Sequence, residues 1–356
     1  ALQMLTGTSS SISTHYFQPM IGGDLALLQG LIKAVLAAEE TKKNVLDKEF
    51  IENHTSGLLE LRQEIGKTDW SAIETESGLF KTQIEEVASL YCNSQKVIAC
   101  WAMGLTQQKH AVSTIQHIVN LLLLRGNIGR PGAGVCPVRG HSNVQGDRTV
   151  GITEHPNESF LKNLDIQFGL SSPRNSGFNT VQAIQAMESK SVKVFMGMGG
   201  NFARATPDSS RTEEALARCE LTVQVTTKLN KTNLTHGKKA LILPCLGRSE
   251  LDLQASGEQS VTVEDSMGVV HSSRGKNQPA YKNLKSEVAI VAGMARATFP
   301  ENQRIWQALQ DDYSLIRKKI EAVLPELFKD YNEKITQPGG FRLYNSAAAR
   351  KWNTKT

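Results

Sequence analysis

The spacing of apolar residues divides the chain into short apolar runs and longer segments of helical period. "DLALLQGLIKAVLAAEE", opened by Asp24, is apolar on most faces and predicts a buried helix with Asp24 as its N-cap. The preceding "HYFQPMIGGD" reads as a short strand ending in Gly22-Gly23. Strand, glycine turn and helix start form either a phosphate-facing corner or an ordinary strand–helix turn, and this segment by itself favours the ordinary one. Residues 41–76 are polar and charged, which predicts surface helices and loops. Ser77 is then expected to cap the amphipathic "GLFKTQIEEVASLY". A strand in "KVIACW", a turn in "AMGLTQQKH" and an apolar helix in "AVSTIQHIVNLLLL" follow.

The second half repeats the alternation. Residues 151–180 read as irregular, "TVQAIQAMES" as helical, and "VKVFMGMGGNFARATPD" as a strand running into a glycine turn. A helix in "RTEEALARC" and strands in "LTVQVT" and "ALILP" come next. Strands and helices of these lengths predict an α/β fold built on doubly wound parallel sheets, whose ligands sit at the carboxyl ends of the strands. Residues 250–280 have short apolar runs and polar turns, as in a small β-rich insertion. Ser286 and Glu287 begin another helix, and one long helix is expected from Arg304 to Phe328, with Ile305, Leu309, Ile316, Ile320 and Val323 on one face.

Composition narrows the function classes. A net charge of +5 with scattered basic residues gives no basic stripe for nucleic acid. No apolar run approaches the ~20 residues that span a bilayer, and the N-terminus lacks the features of a leader, so a cytoplasmic location is expected. Cys92, Cys100, Cys136, Cys219 and Cys245 are odd in number, far apart in sequence and without C-x-x-C spacing. They are expected to be reduced thiols, and no metal ligand set is expected within the chain. Gly197, Gly199 and Gly200 follow a strand, but the next strand ends in Thr226 and Thr227 where a nicotinamide site wants a carboxylate. There is no phosphate loop of the NTPase kind and no serine in a nucleophile elbow.

One stretch carries chemistry. "GRPGAGVCPVRGHSNVQGDRTVG", residues 129–151, sets the Arg139 guanidinium among glycines and prolines, with His141 beside it. Glycine lets backbone approach a ligand closely, and a guanidinium offers a planar fork to an oxyanion. The loop therefore predicts a surface for something flat, large and anionic.

Taken together, "WAMGLTQQKH", "GNIGRPGAGVCPVRGHSNVQGDRTVGI" and "LILPCLGRSELD" resemble the molybdopterin oxidoreductases, in the branch similar to formate dehydrogenase alpha chains. The likeness runs from "HYFQPMIGGDLALLQGLIKAV" to "FRLYNSAAARKWNT". It implies two Rossmann-like dinucleotide-binding units of the formate dehydrogenase and DMSO reductase type: residues 1–140, and residues 141–335 with the β-rich insertion at about 246–280. Residues 336–356 would be a linker towards a C-terminal cofactor domain. The implied cofactor is bis(molybdopterin guanine dinucleotide) carrying molybdenum or tungsten. A [4Fe-4S] cluster is expected in the full-length protein, with its ligands and the metal-ligating residue upstream of Ala1. The implied partners are a small anionic substrate, formate among the possibilities, and an electron-transfer partner or subunit.

Residue by residue, Gly22, Gly23 and Asp24 match the turn at one guanosine, where Asp24 would accept from guanine N–H groups. Met103, Gly104 and Gln107 match the turn along the pterin. Arg139 matches the arginine that orients the substrate carboxylate, followed by Gly140 and His141 against the cofactor. Gly199 and Asn201 match the turn at the other nucleotide, with Gln224, Thr226, Pro244 and Cys245 at later strand ends. His141-Ser142 departs from the Gln-Asn usual in formate dehydrogenases, and Asn201 departs from the usual acidic or Asn-Pro form. The fragment is expected to be inactive alone. The alternative reading is a non-catalytic pterin- or nucleotide-binding module, such as a cofactor carrier.

Overall fold

A run as apolar on most faces as Leu27 to Ala38 is satisfied only by neighbours on several sides. In the computed structural model, which describes residues 13–138, 140–153 and 155–343, this run lies in α1 (Asp24–Lys42). The helix packs against helix Trp70–Ser77, α2 (Lys81–Asn93) and α3 (Ala111–Leu123). Ile32 and Val35 are completely buried there. A Cβ at Gly30 would stand 3.0 Å from the Ile73 Cγ2 and 3.1 Å from that of Ile84, so the missing side chain is what admits both neighbours.

At the far end of α1 the buried Glu39 carboxylate accepts the Val45 and Leu46 N–H groups at 2.7 and 3.0 Å and pairs with Lys48 at 2.8 Å. The Lys48 bond and these backbone donors outweigh burial and hold the Glu39 pKa down to about 2. Parallel strands β1 (Ile98–Trp101) and β2 (Gly134–Pro137) complete this first unit, which ends at His141.

Three local expectations change here. Residues 13–20 form no strand, and the Met20 N–H instead donates to the Ser77 carbonyl at 2.8 Å. Gly23 is the N-cap of α1 and Asp24 its first residue. Ser77 does not cap α2. It ends the preceding helix, Gly78 turns the chain in the left-handed region, and the Phe80 N–H is satisfied by the Gln83 side chain at 2.9 Å.

The second unit starts at Ser142. Strands β3 (Val194–Met198), β4 (Leu221–Thr226) and β5 (Lys239–Pro244) pair in parallel in sequence order. Every residue of central β4 after Leu221 is buried, as expected of a strand covered on both faces. Phe195 packs with α4 (Thr180–Glu188) and α5 (Ser209–Ala217). Val225 and Leu243, on the opposite face by register, pack with Ile290 of α6 (Glu287–Thr298). Helices therefore lie against both faces of this sheet.

Short strands β6 (Leu253–Gln254) and β7 (Gly257–Glu258) form a hairpin. Strands β8 (Val261–Glu264) and β9 (Val269–Ser273) are antiparallel, and β10 (Phe341–Arg342) pairs with β9. Phe341 and Leu343 are buried with Val270, Phe328 and Tyr331, so the expected linker from residue 336 opens as part of this unit's core. The stretch 151–180 is not all irregular: Asn157 caps helix Glu158–Phe168 by accepting the Phe160 N–H at 2.8 Å, and Gly169 ends it. The single long helix is broken into α7 (Gln303–Asp311) and α8 (Tyr313–Val323), because the Asp312 carboxylate accepts the Ser314 N–H at 2.8 Å and starts a new helix. No helix among the described residues is long and apolar enough to cross a membrane.

Candidate functional site

Parallel strands have their carboxyl ends at one edge of the sheet, so the turns that follow them collect at that edge. In the first unit β1 leads through Ala102 into the one-turn helix Met103–Thr106. The Gln108 amide N–H2 donates to the Asp24 Oδ2 at 2.9 Å and to the Gly104 carbonyl at 2.6 Å. The start of α1 is thus tied to the turn after β1, and Gln108 makes the tie. The bond from Gln108 occupies Oδ2 of the Asp24 carboxylate.

After β2 the chain passes Val138, whose N–H donates to the Trp101 carbonyl at 2.7 Å, and reaches Gly140. A Cβ there would stand 2.9 Å from Met103 Cε and 3.1 Å from its sulfur, so Met103 rests closely on this loop and its tip would have to move for a larger residue. Gln107 and Met103 are both exposed, with the Gln107 amide 3.8 Å from the Met103 sulfur. His141 is exposed, and Arg139 lies outside the described residues. At Gly22 and Gly104 a Cβ would meet nothing within 4 Å, so this backbone faces open space.

In the second unit β3 runs into Gly199 and Gly200, whose φ angles of 66° and 69° favour glycine, and the Gly199 N–H donates to the Val225 carbonyl at 2.8 Å. Again a Cβ at either would touch nothing. The Asn201 side-chain oxygen, Oδ1, accepts from the Thr232 hydroxyl at 3.0 Å and from the Thr232 N–H at 3.3 Å, while the Asn230 side-chain amide donates to the Gly200 carbonyl at 2.8 Å. The turn after β3 is therefore laced to the loop after β4. Asn201 spends its oxygen on that lacing and keeps its N–H2 for other use.

The later strand ends divide. Thr226 donates its hydroxyl to the Lys228 carbonyl at 2.6 Å, and Pro244 is exposed. Gln224 is buried, with its Nε2 unpartnered among the described residues and its Oε1 crowding the place of a Gly197 Cβ at 2.9 Å. Cys245 is 4% exposed, packed with Val225 and Ile290, and burial pushes its thiol pKa up. Its backbone N–H donates to the Thr226 carbonyl at 3.1 Å. Beyond these ends lies a cleft of about 630 Å³ lined by Thr227, Gly247, Arg248, Asp252, Glu287 and Tyr313 among others. Within its wall Glu250 accepts the Gly247 and Ala280 N–H groups at 2.5 and 2.6 Å, which holds its carboxyl below the usual range.

The family profile described as molybdopterin oxidoreductase matches residues 11–238, well over half of the chain. The chain belongs to the molybdopterin oxidoreductase family. Membership implies a pterin cofactor carrying molybdenum or tungsten. Among relatives of the chain, protein YdeP of Escherichia coli K12 is 46% identical over 99% of this chain and 47% of its own length. An uncharacterised oxidoreductase of Mycobacterium tuberculosis is 49% identical over 99% of this chain and 45% of its own. The chain thus spans about half the length of the curated relatives it matches. The F420-dependent formate dehydrogenase subunit alpha of Methanocaldococcus jannaschii is 31% identical over 62% of the chain and 32% of its own length. In structure, acetylene hydratase from Pelobacter acetylenicus superposes with a TM-score of 0.56 at 16% identity, over 91% of this chain and 45% of that one. The mixed α/β fold is shared.

The residues present fit a pterin nucleotide on their own terms. Open glycines stand at Gly22, after β1 and after β3, the Asp24 Oδ2 is taken by Gln108, and Gln224 carries an orphaned buried amide. Reading the sequence missed Gln108, Asn230 and Thr232, which hold the turns. Gln108 stands beside Gln107 in "LTQQKH", and only the turn geometry tells which of the two faces Asp24.

Proposed function

We propose that this chain supplies the central dinucleotide-binding part of a molybdenum- or tungsten-dependent oxidoreductase that uses bis(molybdopterin guanine dinucleotide) and acts on a small anionic substrate. Each unit is a Rossmann-like half that would take one dinucleotide: Gly22, Gly23, Asp24, Met103, Gly104, Gln107 and Gly140 in the first, and Gly199, Asn201, Gln224, Thr226, Pro244 and Cys245 in the second. The observation that carries the reading is the pair of open, tied-down glycine turns. Backbone N–H groups fixed in advance meet phosphates and pterin edges with little reorganisation.

When bound, the cofactor supplies two-electron transfer at its metal. The chain's own residues bind and orient. Arg139 holds the substrate's anionic end by a two-point contact, and His141 donates a hydrogen bond or a proton beside it. Formate fits this description, and the likeness to a formate dehydrogenase alpha subunit supports it.

The full-length protein should purify with molybdenum or tungsten and release a fluorescent oxidised pterin. Absence of both from protein made under cofactor-replete conditions would refute the reading. In the loaded protein Arg139→Lys replaces a fork with a point charge. Losing one charge-assisted bond, about 1.5–3 kcal/mol, lowers kcat/KM roughly 10- to 150-fold while metal content stays normal. Unchanged turnover would remove Arg139 from the substrate site.

A further inference from the structure

Cys100 and Cys136 are distant in sequence, but β1 and β2 bring them together. They are register partners on neighbouring parallel strands, so both side chains leave the same face of the sheet. Strand spacing of ~4.8 Å puts their Cα atoms inside the 4.4–6.8 Å window that a disulfide spans. Both cysteines are free and exposed. Desolvation and the neighbouring Cys136 thiol push the Cys100 thiol above its ordinary pKa, as the register pairing leads one to expect. Cys92, Cys219 and Cys245, by contrast, are half-buried or buried.

We propose that Cys100 and Cys136 form a reversible cross-strand disulfide by exchange with a low-molecular-weight disulfide such as oxidised glutathione. One thiol loses its proton and attacks a sulfur of the reagent, forming a mixed disulfide and expelling one thiolate. The second cysteine, already at the required distance, attacks the protein-bound sulfur and expels the second thiolate. Two protein thiols are oxidised, one disulfide is reduced to two thiols, and the protons balance.

The bond would bear on the turns described above. Cys100 lies three residues before Met103, and Cys136 four before Gly140, against which Met103 rests. Cross-linking the strands fixes the separation of their carboxyl ends, and with it the seat of Met103 on Gly140. The raised pKa of Cys100 makes exchange slow at neutral pH and faster as pH rises, since the thiolate is the attacking form.

The test treats the full-length protein with oxidised glutathione, traps remaining thiols by alkylation, and maps peptides digested without reductant. A linked pair of peptides carrying Cys100 and Cys136, lost on treatment with dithiothreitol, is expected. In Cys100→Ser or Cys136→Ser the surviving cysteine should keep a stable glutathione adduct that the unaltered protein resolves. If the unaltered protein keeps both thiols alkylatable, or keeps glutathione on either, the proposal is overturned. Pterin and metal content play no part in this readout, so its failure leaves the cofactor reading untouched.

Discussion

Gln108 is the residue on which the first unit's candidate site turns, and its loss has a calculable effect. Gln108→Leu keeps the side chain's bulk but removes the donors to Asp24 Oδ2 and the Gly104 carbonyl, at 2.9 and 2.6 Å. One of these bonds reaches a carboxylate, and such bonds contribute about 1.5–3 kcal/mol where buried, against about 1 kcal/mol for a neutral one. Gln108 is half-buried, and water can replace part of what is lost, so a net cost of about 1–2 kcal/mol is expected. If the tie serves to fix the turns for a ligand, that cost falls on binding and weakens cofactor retention roughly 5- to 30-fold. The assay is pterin content per polypeptide after extensive dialysis, compared with urea unfolding of the same preparations. Normal pterin retention with normal stability would refute the view that Gln108 holds the site together.

Other outcomes follow from the same geometry. Glu39 has its pKa depressed from 4.5 to about 2, so its contribution is fully present above the unfolded value and is lost as pH falls through the folded one. That difference corresponds to about 3 kcal/mol, and urea unfolding should show Glu39→Gln less stable near neutrality by that order, with the gap closing between pH 5 and pH 2. A gap that persists at the acid end would show that packing, not charge, is at work. Gly23→Ala would drive a methyl to 2.8 Å from the Ser77 Cα and closer still to the Glu76 carbonyl. Overpacking against backbone should cost about 1–3 kcal/mol and lower Tm in thermal scans, and an unchanged Tm would disprove the contact. Thr232→Val leaves the buried Ala203 N–H, which donates to the Thr232 hydroxyl at 3.0 Å, without that partner, and takes from the Asn201 side-chain oxygen one of its two donors from Thr232. A loss of about 2–3 kcal/mol is expected in chemical unfolding, and a loss below the noise would mean the lacing of this turn is dispensable.

The order of strands and helices was legible along the chain because apolar period is a local property. α1, α3, β1, β3, β4 and β5 stand where periodicity put them. Element ends were less legible, because they are decided by competition between neighbouring caps. Ser77 reads as an N-cap by residue type, but the left-handed turn at Gly78 claims it for the preceding helix. Asp312 breaks an unbroken helical pattern, since its carboxylate satisfies the Ser314 N–H better than a continued turn would. The family likeness implied a linker from residue 336, yet Phe341 has a partner strand some seventy residues earlier in the chain.

By itself, then, the sequence determined the alternation of elements, the glycine turns after β1 and β3, and membership of the molybdopterin oxidoreductase family. Those depend on which residue types occur in which local order. Tertiary structure decided which of two adjacent glutamines reaches Asp24, that the Cys245 thiol belongs to the core, and that Cys100 and Cys136 stand side by side. Each of these is a contact between residues distant in the chain. Such contacts depend on strand register and helix placement, which no local pattern encodes.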